Sequence, residues 1–225
     1  MDLLFSEEFF SPIVISLKVA CTATLLSFLI GIMLAFTLSK QTFPGKSFVE
    51  TVIMLPMVLP PTVVGFLLLY LFGRYGILGQ WIYSLFNTTM LFSIYAAIIA
   101  STVVAVPLMY QSLKIGIDNV SSDILEAAQL DGANSIVIFK SIIMPLSKNA
   151  LLTGILFAFA RALGEFGATL IFAGNIPGIT QTLPTAIYVA IENNELLLAG
   201  IWVAMMVLLS FVLMLIIQMI RKDAQ

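Results

Sequence analysis

The chain has 225 residues, of which 60% are hydrophobic and 10% charged, and its mean hydropathy is +1.10. A soluble domain carries about 25% charged residues, so this composition excludes a water-soluble globule and makes a bilayer the solvent. The formal net charge of −2 comes without a basic stripe that could neutralise phosphates, and the absence of histidine removes the commonest general base and metal ligand.

The N-terminal stretch MDLLFSEEFF is acidic. A cleaved signal peptide opens with positive charge, so the first span is expected to stay in the mature protein. A crossing helix needs about 20 apolar residues. On that measure five spans are predicted, at about 12–39, 48–72, 90–110, 147–172 and 196–220, in a single all-α transmembrane domain covering 1–225. The uncharged run 75–113 is too long for one straight crossing, and Asn87, Thr88 and Thr89 interrupt it. An interfacial or re-entrant piece therefore precedes span three; a short extra helix in 74–90 would make the span count even. Cys21 is the lone cysteine and lies in span one, so no intrachain disulfide forms. Lys18 reads as a lysine snorkelling to the interface.

Span two carries Pro56, Pro60 and Pro61, followed by Gly65. Each proline removes a backbone donor, and Pro60-Pro61 drives the preceding residue out of helical geometry. A broken helix survives at membrane depth only against protein or a water-filled cavity. The segment is read either as a pathway lining or gate, or as a kink packed on another span. In span four Arg161 and Glu165 are four apart and so face one side of a helix. A charge at the bilayer centre costs about 2.5–3.5 kcal/mol on insertion scales, so the two should meet each other or a cavity. They read as a conformation-dependent ion pair beside a path, or as a structural pair holding the span; direct attraction of an anion by Arg161 ranks below both, because a strong site inside a pore would slow release. Gly164 and Gly167 flank Glu165 and permit local unwinding, whereas Gly154, Ala158 and Ala162 form a close-packing stripe.

Orientation follows from charge. Lys40, Lys46, Lys114, Lys140, Lys148, Arg221 and Lys222 fall on one face, and Arg74 falls on the other with Asp2, Glu7, Glu8, Glu192 and Glu195. The positive-inside rule places the first face in the cytoplasm, the N-terminus outside and the C-terminus inside. Tyr70, Tyr75, Trp81, Tyr83, Tyr95, Tyr188 and Trp202 fall near outer span ends, where aromatic rings favour the headgroup level. The turn Asn175-Ile176-Pro177-Gly178 belongs to that outer face. Gly45-Lys46-Ser47 lacks the upstream glycine of a phosphate loop, since position 40 is lysine; ATP hydrolysis would have to come from another subunit.

The polar segment 113–146 faces the cytoplasm in this arrangement. Asp123, with Glu126 three positions on, reads as a capping box for a short helix. Asp131-Gly132 ends that helix at a glycine corner. Asn134 or Ser135 caps a second helix that runs through Ile143 to an interruption at Pro145. The apolar residues Ile136 to Ile143 suit the membrane interface. Glu126-Ala127-Ala128, three residues, Gly132, nine residues, then Ile142, Ile143, Met144 and Pro145 resembles the EAA loop of ABC importer permeases, with Met144 where leucine is usual. The segments LPMVLPPTVVGFLLL (55–69) and RALGEFGATLIFAGNIPGITQTLPTAIY (161–188) resemble the molybdate permease subfamily, and the likeness runs over about 12–220.

The resemblance implies the type I ABC importer permease fold in a bacterial inner membrane. It further implies a homodimer, two ABC ATPase subunits that hold ATP and magnesium, and an external oxyanion-binding protein. Glu126, Ala127, Ala128, Asp131, Gly132 and Pro145 would couple the chain to the ATPase. Pro56, Pro60, Pro61, Arg161, Gly164, Glu165 and Gly167 would line or gate the path, and the oxyanion would cross at the dimer interface by alternating access. Sulfate or thiosulfate permeases, usually longer, and tungstate import stay open beside molybdate. A stand-alone secondary transporter would use Arg161 and Glu165 as an ion relay, but no internal repeat supports it. An intramembrane enzyme has few catalytic options, without histidine and with few intramembrane acids.

Overall fold

Small side chains set how closely these helices approach. The computed structural model describes residues 7–38 and 43–222. Asp2, Ser39 and Lys40 lie outside the described residues, as do the side chains of Glu7, Glu8, Arg221 and Lys222. The helices in chain order are α1 (Glu7–Leu38), α2 (Lys46–Val58), α3 (Pro61–Phe72), α4 (Ile77–Phe86), α5 (Ile94–Asp118), α6 (Ser122–Leu130), α7 (Ser135–Ile138), α8 (Met144–Leu146), α9 (Lys148–Leu163), α10 (Gly167–Phe172), α11 (Leu183–Glu192) and α12 (Leu196–Lys222), with a π-helical turn at Phe139–Ile143.

The centre of the bundle is α5. Ala96, Ala97, Ala100 and Ala105 are wholly buried on it, as are Ala20, Ala23 and Ala35 on α1. Ile15 and Val19 share a cluster with Ala96, Ala100 and Val104, whereas Ala35 and Leu38 share one with Met109, Leu113 and Ile117. The two helices therefore run parallel. A Cβ on Gly31 would come 2.6 Å from Met109 Cγ, so the backbones have closed to the distance that small residues permit. Against α5, α9 runs antiparallel, because Gly116 faces Ser147 and Ala150 while Gly154 faces Ser112 and Met109. The stripe Gly154, Ala158, Ala162 is the packing face the sequence indicates, and all three residues are buried.

Among the described residues α1, α5 and α12 are each long and apolar enough to cross a membrane. Two bent pairs also pass that test: α2 with α3, bent by 113°, and Ser135–Leu146 with α9, bent by 76°. The short helix α4 ends at Asn87 in a left-handed conformation (φ 50°), the interruption expected ahead of span three.

Several expectations are corrected. Pro56 lies inside α2 without breaking it. The break falls at Leu59 (ψ 143°), because the ring of Pro60 pushes its predecessor into extended geometry. Pro61 then opens α3 at its first position, where a missing N–H costs nothing. Span three starts at Ile94, capped by Ser93, and continues past Tyr110 to Asp118. Span four is not continuous to Phe172, since α9 stops at Leu163. Trp202 is no interfacial anchor: it is buried, stacks on Phe9 and donates Nε1–H to the Phe9 carbonyl at 3.3 Å. Tyr70, Tyr75, Trp81 and Tyr95 are strongly exposed.

Where α3 meets α10, Gly65 lies against the Ala168 backbone, and a Cβ there would come 2.9 Å from Ala168 Cα. Backbone cannot step aside as a flexible side chain can. Gly65→Val is expected to cost about 1–3 kcal/mol by overpacking, read as a lower unfolding temperature of the detergent-purified chain; an unchanged midpoint would show that α3 and α10 separate freely.

Candidate coupling segment and transport path

The candidate coupling segment is built by caps. Ser121 Oγ accepts the N–H of Asp123 at 3.3 Å and opens α6. The predicted capping role of Asp123 is thereby corrected: it sits in the first turn, where its charge suits the positive helix end. After Leu130, the Gly132 N–H donates to the Gln129 carbonyl at 3.0 Å and the Ala133 N–H to the Ala128 carbonyl at 2.9 Å. This is a Schellman close, and Gly132 supplies its left-handed residue (φ 85°). Asn134 Oδ1 then accepts the Val137 N–H at 2.9 Å and starts α7.

The second helix does not stop at Ile143. The widened turn Phe139–Ile143 delivers the Met144 N–H to the Phe139 carbonyl, and the chain stays helical through Pro145 to Leu146 before bending at Ser147. Nor does the segment merely lie on the membrane surface. Ile138 and Ile143 are buried in the main core cluster, and Phe139 packs edge-on to Phe36 of α1 at 4.8 Å. Leu125, Ala128 and Ala133 pack on the same cluster. The opposite face is left open: Glu126, Ala127, Asp131 and Pro145 are exposed, Leu130 is 89% exposed and Ile136 67%. The corner thus grips the α1–α5–α9 core with one side and presents apolar and acidic groups on the other.

A second construction sits where α9 gives way to α10. Gly164 and Phe166 lie outside regular helix, and Gly167 starts α10. The sequence spacing puts Glu165 on a continuous helix with Arg161. It lies instead just past the helix end, yet the two still meet: Arg161 Nη1 donates to Glu165 Oε2 at 2.6 Å. The other oxygen, Oε1, accepts the Ala168 N–H at 2.8 Å. One carboxylate therefore neutralises Arg161 and caps α10, which is why the chain can break here at little cost. The Glu165 side chain is 1% exposed and that of Arg161 29%.

The two breaks touch. A Cβ on Gly167 would lie 3.0 Å from Pro61 Cβ and 3.4 Å from the Thr62 nitrogen. The start of α3 and the start of α10 are thus side by side, joined at Gly65–Ala168. Of the residues predicted for the path, Pro61, Glu165 and Gly167 converge with Arg161. Gly164 is exposed beside them, whereas Pro56 and Pro60 belong to the arm leading up to the break. The residues expected to couple stand apart from this group, at the end of the bundle marked by Leu38 and Asp118.

Sequence reading misses Glu50. It accepts from Tyr110 Oη at 3.0 Å and from Lys114 Nζ at 2.8 Å. The partners lie 60 and 64 positions away, beyond the reach of any local pattern. It also misses Ser16, a buried hydroxyl that accepts the Leu183 N–H at 2.6 Å and so fixes the start of α11 against α1.

Residues 27–224 match the family described as binding-protein-dependent transport system inner membrane component. A Bacillus subtilis (strain 168) protein, YvgM, named provisionally as a molybdenum transport system permease protein, is 49% identical over 95% of this chain and 94% of its own length. The molybdenum transport system permease protein ModB of Escherichia coli (strain K12) is 40% identical over 85% of this chain and 83% of its own length. Among solved structures, a chain of a bacterial ABC transporter involved in import of the acidic polysaccharide alginate superposes with a TM-score of 0.77 at 16% identity, over 99% of this chain and 82% of that one. A second structure of the alginate transporter, in complex with an alginate pentasaccharide-bound periplasmic protein, superposes equally well. With its all-helical bundle, its broken spans and a match across nearly its whole length, the chain belongs to the family of binding-protein-dependent transport system inner membrane components.

Proposed function

We propose that this chain is the permease subunit of an ATP-driven importer of a tetrahedral oxyanion, with molybdate as its cargo. The observation that carries the cargo is the 49% and 40% identity to YvgM and to ModB, relatives named for molybdenum transport, over most of each chain. The chain works as a homodimer in the inner membrane, with its N-terminus outside and its C-terminus in the cytoplasm. An external binding protein delivers the oxyanion. Two ABC ATPase subunits dock on the exposed face of α6 around Glu126, Ala127, Asp131 and Gly132, and they hold the nucleotide and its magnesium. The periplasmic protein seated on the alginate transporter supports a partner of the first kind.

The mechanism follows from the two constructions. Closure of the ATPase pair pushes α6. The Schellman corner and the packing of Leu125, Ala128, Ile138 and Ile143 pass that push to the ends of α1, α5 and α9. At the other end of the lever, the chain is already broken at Leu59–Pro60 and at Gly164–Phe166. The outer pieces α3 and α10, joined through Gly65 and Gly167, can therefore tilt as a pair without unwinding helix. Arg161 stands at that joint with part of its guanidinium committed to Glu165. It gives a dianion a weak positive point in the path, and the neutralising carboxylate prevents tight retention.

The test is uptake of labelled molybdate by cells with and without the gene, challenged by excess sulfate and by excess tungstate. Gene-dependent uptake that survives sulfate and is competed by tungstate is the expected result. Uptake abolished by sulfate would move the cargo to sulfate with the same machinery, and no gene-dependent uptake in cells expressing the partners would reject an oxyanion cargo.

A further inference from the structure

Resting on the importer reading, we infer that Glu50 is a coupling residue: its carboxylate ties the inner arm α2 to α5 beside the ATPase-facing segment, and opening of that tie frees α2 to move as a gate. The arm is constructed to move. It has no buried residue along its length. At one end stands Gly45 with φ 99°, and at the other the 113° bend at Leu59–Pro60. Both are breaks in regular helix, so α2 is a stiff rod between two joints. Ile53 and Met54 rest on the core through partly buried contacts, whereas Phe48 and Val58 are more than 70% exposed.

The polar tie to the bundle is specific. Glu50 uses both oxygens, one for Tyr110 and one for Lys114. Lys114 stands one turn before Asp118, where α5 ends, and Ser121 then caps α6. A displacement of α6 carried along the chain therefore enters α5 at the end where Lys114 stands. The pair is also half-wet, with side-chain exposures of 32% for Lys114 and 20% for Glu50. On the importer reading the pair lies at the cytoplasmic ends of its helices, where water can take over either group once they part, so the tie can open and close at small cost. A drier pair such as Arg161–Glu165 is suited to holding a joint; this one is suited to reporting a displacement. Tyr110, itself buried, presents its hydroxyl to Glu50 from the same face of α5 and sets where the carboxylate must return.

The test uses the complete transporter in lipid nanodiscs and in proteoliposomes, with Cys21→Ser as background. Spin labels at Phe48→Cys on α2 and Ile115→Cys on α5, both exposed positions, report the distance between the helices without nucleotide and with ATP trapped. With the native tie, the distance is expected to be narrow without nucleotide and to change on trapping. Glu50→Gln should broaden it before ATP is added and should raise the ATP hydrolysed per anion imported several-fold, with unfolding temperature unchanged. The exchanged pair Glu50→Lys with Lys114→Glu should restore both the narrow distance and the ratio. An unaltered distance and ratio in Glu50→Gln would overturn the inference. So would a folded exchanged pair that restores neither, since a tie made by the two opposite charges must survive their exchange. If the unsubstituted complex shows no ATP-driven uptake, the importer reading fails; the distance without nucleotide still reports whether Glu50 holds α2.

Discussion

Replacing Gly132 with proline is expected to abolish uptake while leaving the chain in the membrane. Gly132 holds a φ of 85°, and proline is confined near −65°. Proline also deletes the N–H that Gly132 donates to Gln129. The corner cannot form, α6 no longer stands at a fixed angle to α7, and the ATPase proposed to dock on it has nothing stiff to push. The space around Gly132 is open, with no atom within 4 Å of where a Cβ would stand. Gly132→Ala therefore meets strain but no clash. Left-handed backbone costs an L-residue about 1–2 kcal/mol, which lowers the population of the closed corner about 5–30-fold. Uptake should fall in the order glycine, alanine, proline, with equal amounts of each protein in isolated membranes. Equal uptake by all three would remove Gly132 from the coupling path.

Glu165→Ala is expected to be the most destabilising single change at the joint. It strands the Arg161 guanidinium and leaves the Ala168 N–H without its acceptor. Breaking a buried pair by removing one partner costs about 3–5 kcal/mol, and the partial exposure of Arg161 brings this case to the lower end of that range. For a chain of this length each kcal/mol moves the midpoint by about 2–4 °C, so the unfolding temperature in detergent should drop by about 6–12 °C. Glu165→Gln also leaves Arg161 unneutralised but keeps an oxygen for Ala168, so it should lose less than Glu165→Ala by only the share of that one hydrogen bond, about 0.5–1.5 kcal/mol. If the two variants melt alike, the charge carries the whole effect and the cap contributes nothing.

Much of this is legible in the sequence because it is local. Asp131-Gly132 announces a left-handed close, Asn134 a cap, and the spacing of Gly154, Ala158 and Ala162 a packing face; each is decided within a few residues. The spacing of Arg161 and Glu165 pairs them correctly, but it does not show why they meet. The carboxylate's second oxygen caps α10, and that bond forms only because α9 has already ended. Pro56 misleads because a proline removes one hydrogen bond without fixing where a helix breaks; the doublet Pro60-Pro61 has the stronger steric claim. Trp202 misleads because amphipathic rings are expected at interfaces, and here the Phe9 carbonyl satisfies the indole inside the bundle. The contacts of Glu50 and Ser16 join residues far apart in the chain, and only the packing of α2 on α5 and of α11 on α1 brings them together.

The most direct test of the account is reconstitution. The chain, its ATPase partner and the external binding protein are placed in proteoliposomes, and entry of labelled molybdate is followed with ATP, without ATP, and with the chain alone under an ion gradient. The account predicts entry only when all three proteins and ATP are present. Gradient-driven entry through the chain alone would contradict it and make Arg161 and Glu165 the relay of a self-sufficient transporter.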